Sequence, residues 1–301
     1  MKLSVLVPTY RRTADLARCM KAIVAQTRRA DQVLVVVRTE DEESFAAAQA
    51  WCDRLPLEIV EVGVSGQVQA LNAGLVRCEG EVVAITDDDA APRPDWLARI
   101  ETHFAAGAEV GGVGGRDWVH EYGSVRTREV LLVGRFQWFG RAVGNHHLGA
   151  GPAREVDFLK GANCAFRMAA LGRDGFDRRL QGGGAQVHND LAASLAVQRK
   201  GWKIVYDPLV AVDHFPAQRF DEDARDSFDA AAAANRIYNF RLAVISGLPV
   251  WRRAPVLLWF RCIGTKASPG LFRLWFMLLK QDRVGLSRYR AVRNLLSRKN
   301  A

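Results

Sequence analysis

The sequence predicts an α/β fold, a doubly wound and mostly parallel sheet that carries a helical, basic and aromatic extension at its C-terminal side. Three observations carry this prediction. Four continuous apolar runs alternate with helically spaced segments between Leu3 and Thr86. The fourth run ends in three consecutive aspartates, Asp87, Asp88 and Asp89. From Arg236 onward the chain holds 14 Lys and Arg against one acid, Asp282.

Taken in order, Leu3–Val7, Gln32–Val37, Leu57–Val62 and Glu81–Thr86 read as buried parallel strands, because their Val, Ile and Leu content is nearly unbroken. Thr13–Gln26, Glu42–Arg54 and Gln67–Arg77 have the spacing of crossover helices. The resulting sheet gathers Thr9, Tyr10, Arg38, Thr39 and the triplet at its C-terminal edge, where open α/β sheets bind ligands. Pro94-Asp95-Trp96-Leu97 opens a further helix, with Asp95 complementing its dipole. Residues 105–155 are rich in Gly, aromatic residues and His and predict irregular structure over a pocket. Phe158–Arg167 reads as a strand, Gly182-Gly183-Gly184 as a flexible loop, Asn189–Gly201 as a helix, and Trp202–Tyr206 and Leu209–Val212 as short strands.

Composition narrows the function classes. With 301 residues, 49% of them hydrophobic, the chain has material for one large core or a core with an appendage. Its five cysteines are scattered without metal or redox spacing, which suits a reducing compartment. Met1-Lys2 leads into an apolar run that Pro8 and Arg11-Arg12 close too early for a signal peptide, so a cytoplasmic catalytic part is expected. Before Arg236 the chain has 28 basic and 32 acidic side chains, so the net charge of +9 belongs to the C-terminal segment.

The triplet is the strongest chemical signal. Like charges at the end of a buried strand repel, and an oxygen-rich cluster there suits a hard divalent cation such as Mn²⁺ or Mg²⁺. A solvated turn ahead of Pro92 and Pro94 is the alternative, since Asp is also a common turn residue.

Val5-Leu6-Val7-Pro8-Thr9-Tyr10-Arg11-Arg12, the aspartate triplet, Asn189-Asp190-Leu191 and Gly201-Trp202-Lys203 occur in that order. Together they resemble the family 2 glycosyltransferases over about residues 1 to 220. The resemblance implies a GT-A fold, a nucleotide-diphosphate sugar donor and inversion at the transferred sugar. It implies Asp89 as a metal ligand, Asp87 on metal or ribose, and Asp88 positioning the loop or the sugar, with Pro8, Thr9 and Tyr10 beside the donor. Asp190 takes the place of the general base that removes the acceptor proton; as a first-turn aspartate it also suits the helix dipole. His214, 24 residues further on, matches a third metal ligand in several members, although a histidine at a strand end is often structural.

Two departures bear on the donor and the product. Family members usually end the second strand with an aspartate for the uracil ring, whereas this chain reads Val37-Arg38-Thr39-Glu40-Asp41. Asp41 is the substitute with a small loop change and Arg38 a phosphate contact, which leaves the nucleobase open. A Gln-x-x-Arg-Trp motif of processive synthases is absent, with Gln218-Arg219-Phe220 only an echo, so a single transfer is expected.

Gln69 and Asn72 are further donor candidates, with helix capping as their alternative role. Trp138 and His147, with His146 beside them, are candidates for an acceptor pocket, as are Lys160 and Asn163 in Lys160-Gly161-Ala162-Asn163; structural roles compete at each. The expected organisation is a catalytic domain over 1–225, with a nucleotide-sugar half to about 115 and an acceptor half beyond it, followed by a helical region over 226–301.

That last region interleaves its cations with Trp251, Trp259, Trp275, Phe260, Phe272 and Phe276. Its longest uncharged run, Leu242–Trp251, is far short of the roughly 20 apolar residues a spanning helix needs. The texture predicts an anionic membrane surface as partner and a peripheral position at the inner face of the cell membrane; a helical pair packed on the core or dimerising is the alternative. Nucleic acid is not expected, because no binding motif accompanies the charge. The acceptor is expected to be a glycan or a lipid-linked glycan. Two other functions are the alternatives: a sugar-phosphate nucleotidylyltransferase, which would need a glycine-rich phosphate loop after the first strand, and a membrane-associated sugar-binding protein without activity.

Overall fold

A computed structural model describes the chain except residues 122, 173, 219, 222–227, 266–267 and 300–301. The alternation read from the sequence appears as β1 (Leu3–Pro8), α1 (Thr13–Val24), β2 (Gln32–Arg38), α2 (Glu42–Gln49), β3 (Leu57–Val62), α3 (Gln67–Arg77) and β4 (Val82–Thr86). There follow β5 (Ala90–Pro92), α4 (Trp96–Ala106), β6 (Val110–Glu121), the short strands β7 (Ser124–Val125), β8 (Arg135–Phe136), β9 (Ala142–Val143) and β10 (Arg154–Glu155), then β11 (Asn163–Arg167), α5 (Met168–Leu171), α6 (Asn189–Arg199) and β12 (Lys203–His214). Four helices close the chain: α7 (Ala230–Gly247), α8 (Val250–Cys262), α9 (Leu271–Leu279) and α10 (Arg283–Lys299).

The main sheet runs β10-β12-β6-β11-β4-β1-β2-β3. Pairing is parallel from β3 to β4, antiparallel on both sides of β11, and parallel again between β6 and β12. Both faces are covered, which is why β1, β2 and β4 are almost wholly buried. One core layer joins Leu6, Leu34, Val36 and Ile85 to α3, α6 and α7; the other joins Val5, Val7, Val33 and Val35 to α1 and α4. Leu191 and Leu195 of α6 are buried in the first layer, each stabilising the fold by about 1.5–3 kcal/mol relative to exposure.

Within residues 105–155 the stretch Val110–Glu121 departs from the expectation of irregular structure, while the described residues after it hold only two-residue strands and a single short turn of helix. Gly111–Gly115 belong to the twelve-residue strand β6. They are glycines because neighbours crowd this strand: a Cβ at Gly115 would lie 1.7 Å from the Val210 carbonyl oxygen, and one at Gly112 would press on Ile204 and Phe166. The two short strands expected after α6 are likewise one strand, β12, with a register shift between Asp207 and Ala211. That extra length matters at the site, because the end of β12 pairs with β5, His214 opposite Ala90.

The C-terminal helices join the body through α7, which buries Phe240, Ala243 and Val244 against α6, and α10 returns to pack Val292 on Ala234 and Ile237. Helix α9 buries none of its residues. No helix of the described residues is long and apolar enough to cross a membrane. The expected domain boundary at 225/226 and Arg219 of the Gln-Arg-Phe echo lie outside the described residues.

Candidate active site

The C-terminal ends of β1, β2 and β4 open into one cleft, walled by Pro8, Tyr10, Arg38, Val62, Gln67 and Phe220, with the triplet on its floor. Thr9 is fixed by its backbone, which donates to the Val36 carbonyl at 2.9 Å, and by its hydroxyl, which donates to Asp88 Oδ2 at 2.7 Å. Arg11 holds a left-handed backbone at φ 55°, a conformation that non-glycine residues adopt at turns and functional sites. Arg38 stacks on the Tyr10 ring at 3.8 Å and pairs with Asp221 at 2.9 Å, so the cleft carries a fixed planar cation.

The three aspartates occupy different environments. Asp88 and Asp89 are buried, Asp87 only partly so. Burial pushes Asp88 up to about 7, against the pull of Arg12, whose Nη1 lies 2.9 Å from Asp88 Oδ1. Asp89 moves the other way: its burial is outweighed by His214 at 3.3 Å, the Ala217 N–H at 3.0 Å and Arg12 at 3.5 Å, which hold it well below the usual carboxylate range. Asp87 Oδ1 accepts from Gln67 Nε2 at 3.1 Å.

His214 reaches Asp89 because β12 pairs with β5, the strand that directly follows the triplet. Its 3.3 Å approach to Asp89 is not aligned as a hydrogen bond, and both ring nitrogens are buried without a hydrogen-bond partner. Buried polar atoms are rarely left so. An imidazole and a carboxylate held side by side suit Mn²⁺, and such ions are commonly held by one or two protein groups with substrate phosphates completing the shell. The residues therefore fit a divalent ion at Asp89 and His214. A closed set that includes Asp87 is not formed: among the described residues no three His, Cys, Asp or Glu side chains converge as a metal cage, and Asp87 turns to Gln67. Asp213, beside His214, bonds Arg93 and His120 instead of orienting the His214 ring.

Asp190 stands in the first turn of α6, where Oδ2 accepts from the Gly161 N–H at 3.0 Å and Oδ1 from the Leu191 N–H at 2.7 Å. Burial raises its pKa, while these bonds and the Lys160 ammonium oppose the rise. Lys160 is gripped by the fully buried Asp117 and lies in the field of both Asp87 and Asp190. Asn189, directly before Asp190, donates to Gln67 Oε1 at 3.3 Å. A hydrogen-bonded line thus runs from the head of α6 through Gln67 to Asp87, and a carboxylate at 189 could not donate to it.

Several expected residues do other work. Asp41 caps α2 by accepting from the Ser44 N–H at 3.2 Å and braces the Arg11 N–H, so both oxygens are committed to the loop after β1. Asn72 clamps Phe176 through N–H and carbonyl at 2.8 and 2.9 Å, and Gln69 does not line the cleft. Asn163 is buried, accepts from Trp96 Nε1 at 2.8 Å and donates to the Arg116 and Val210 carbonyls. Its amide is spent on holding β11, so Asn163→Leu should lower stability by about 1–3 kcal/mol, read as a fall in the thermal midpoint. Trp138 is 89% exposed at the tip of the β8–β9 hairpin and does not line the cleft. His147 is half-buried, its pKa lowered by burial and then by Lys160, whereas His146 is buried, pushed down to about 4 by desolvation, and bonded to the Phe158 carbonyl. The Gly182–Gly184 loop is tied down, because Gly184 accepts from Gln67 N at 2.9 Å and Gly183 from Arg38 at 3.3 Å.

Arg12, Gln67 and Asp221 carry no local signal in the sequence for their places at the cleft, where they pair with Asp88, Asp87 and Arg38. Arg12 and Gln67 sit one helical start away from β1 and β3, and only the closure of the cleft reveals their partners.

The sequence profile described as glycosyltransferase like family 2 matches residues 2–229. The chain belongs to this family. Among curated glycosyltransferases of known sequence it is 25% identical over 228 residues to the glucosyl-dolichyl phosphate glucuronosyltransferase of Haloferax volcanii, covering 71% of this chain and 69% of that one. It is 34% identical over 111 residues to the amylovoran biosynthesis glycosyltransferase AmsE of Erwinia amylovora, covering 36% of this chain and only 42% of AmsE. The fold is shared with the Pyrobaculum calidifontis mannosyltransferase PcManGT, solved with GDP-Man and Mn²⁺, at a TM-score of 0.60 and 19% identity, covering 98% of this chain and 83% of that one. S. aureus TarS with UDP-GlcNAc gives a TM-score of 0.64 at 16% identity, covering 87% and 72%. As a family 2 glycosyltransferase with a GT-A fold, the chain has its cleft at the edge where α/β sheets bind nucleotides.

Proposed function

We propose that the protein is a metal-dependent inverting glycosyltransferase that moves one sugar from a nucleotide-diphosphate donor to an acceptor hydroxyl. The observation that carries the reading is the division of the site, with Asp89, His214 and the stacked Arg38 on the side of the cleft and Asp190 at the head of α6. The acceptor oxygen forms a bond to the anomeric carbon as the bond from that carbon to the diphosphate breaks. Asp190 takes the hydroxyl proton, and the nucleoside diphosphate leaves. A divalent ion held by Asp89 and His214 would neutralise the charge that develops on the leaving diphosphate. Thr9 and Arg12 hold the triplet in shape, Arg38 and Tyr10 take the nucleotide, and Lys160 favours the ionised form of Asp190 and meets the acceptor side.

Neighbours solved with GDP-Man and Mn²⁺ and with UDP-GlcNAc support a nucleotide-sugar donor and a divalent ion. The names of the two relatives, one in amylovoran biosynthesis and one acting on glucosyl-dolichyl phosphate, support assembly of an envelope or exopolysaccharide glycan on a lipid-linked acceptor. Such an acceptor calls for a cytoplasmic enzyme peripheral to the inner face of the membrane. Titration with UDP, GDP, dTDP and their sugars, with and without Mn²⁺, tests the reading: one nucleotide series should bind tightly only with metal. Arg38→Ala should weaken that nucleotide by about 1.5–3 kcal/mol, the usual worth of a charge-assisted hydrogen bond. Metal-independent binding of every nucleotide alike would contradict it.

A further inference from the structure

The last four helices lie wholly beyond residues 2–229, the span of the family match, and their surface is unlike the rest of the molecule. Helix α9, Leu271–Leu279, reads LFRLWFMLL and buries no residue. Phe272, Trp275, Phe276, Leu278 and Leu279 are each more than half exposed. Between α7, α8, α9 and α10 runs a groove of about 1070 Å³, with Phe260, Leu274, Phe276 and Met277 among its apolar lining. Its rim carries Arg241, Arg261, Arg273, Lys280, Arg288 and Arg293 against one acid, Asp282. An apolar face of this size left in water marks a docking surface.

The hairpin tip of the catalytic domain continues this surface. Gly140, at φ 96°, sits so close to α8 that a Cβ there would lie 2.2 Å from the Pro255 carbonyl oxygen. Next to it Trp138 is 89% exposed, and on α8 Trp251 is 75% exposed.

Charge selects the occupant. A second copy meeting this face symmetrically would oppose two strongly cationic rims, which an isologous contact cannot relieve. A negatively charged lipid leaflet relieves them, with exposed tryptophans and cation stems matching the headgroup layer and an apolar helix reaching the acyl boundary. At about 1.5 Å per residue, α9 is roughly 14 Å long against a hydrocarbon core of about 30 Å, so it lies in the interface.

We propose that α8, α9 and the tip at Trp138 form a docking surface for an anionic lipid bilayer, with α9 as the inserted element and the groove closed by lipid acyl chains. The proposal rests on the peripheral-membrane part of the functional reading but not on its chemistry. It also gives Trp138 a role at the lipid surface.

The test is co-sedimentation of the full chain with vesicles of phosphatidylcholine alone or of phosphatidylcholine with phosphatidylglycerol, with donor hydrolysis measured on the same samples. Binding to the anionic vesicles should exceed binding to neutral ones by at least about tenfold and fall with added salt, because each basic residue near such a surface adds a screened attraction. The double variant Trp275→Glu, Phe276→Glu should lose vesicle binding with its thermal midpoint and soluble donor hydrolysis unchanged. Equal binding to both vesicle types, no binding to either, or a wild-type dimer that this variant dissociates would overturn the proposal. Loss of donor hydrolysis in the wild type with vesicle binding intact would count against the enzymatic reading alone. Should the double variant unfold, Arg273→Glu with Lys280→Glu provides the second arm: retained binding to anionic vesicles contradicts the role assigned to charge.

Discussion

Asp190→Asn should reduce sugar transfer by about 10²–10⁴-fold while nucleotide-sugar affinity stays close to wild type. The amide keeps the shape and still accepts hydrogen bonds at one atom, but it cannot take the acceptor proton. Donor affinity is spared because Asp190 is bonded to the Gly161 N–H and is not among the residues that line the cleft with Tyr10 and Arg38. A pH profile adds an independent sign. Burial raises Asp190 above the ordinary aspartate value, opposed by two backbone N–H groups and Lys160. The base acts only as a carboxylate, so activity is full above the raised value and lost as pH falls through it. Lys160→Met removes one opposing charge and should move the acid limb of kcat/KM further upward, whereas a purely structural Lys160 would lower activity without moving that limb.

Loss of the proposed ion site should have the second large effect. Asp89→Ala should abolish Mn²⁺-dependent donor binding, since Asp89 is the carboxylate that His214, Arg12 and the Ala217 N–H hold ionised in the buried floor. His214→Ala should weaken it by at least about tenfold while Thr9, Arg12 and the rest of the floor remain assembled, because loss of one ligand costs at least what loss of an outer partner does. His214→Gln, which restores a polar atom but binds Mn²⁺ poorly, should not rescue affinity. Calorimetric titration of Mn²⁺ in the presence of the preferred nucleoside diphosphate measures both effects, and undiminished affinity in His214→Ala would make this histidine structural.

What could be read from the chain followed the physical reach of each signal. Buried parallel strands write themselves as runs such as Val33-Leu34-Val35-Val36-Val37, and crossover helices as the spacing between them, so β1 to β4 were visible. Asp87–Asp89 stood out because repulsion at a strand end needs a cause. The glycines of β6 were misread as loop because Gly is a turn residue by propensity, and only the packing of β12 and β11 shows why a side chain has no room there. Asn72, Asn163 and Asp41 have the polar chemistry of ligands, but tertiary contacts with Phe176, Trp96 and Arg11 engage them. Such pairings span 30 to 104 residues and leave no local trace. Asn189, too, shows its part only with Gln67 and Asp87 in view, as a donor that an acid could not be.

The central claim is that the site is divided, with metal and diphosphate at Asp89 and His214 and proton removal at Asp190. Donor binding by calorimetry and donor turnover, measured side by side with Mn²⁺ for the wild type, Asp89→Ala and Asp190→Asn, test it most directly. The account predicts that Asp190→Asn binds like the wild type and does not turn over, and that Asp89→Ala does not bind. An Asp190→Asn protein that still turns over at the wild-type rate, or an Asp89→Ala protein with undiminished metal-dependent binding, would contradict it.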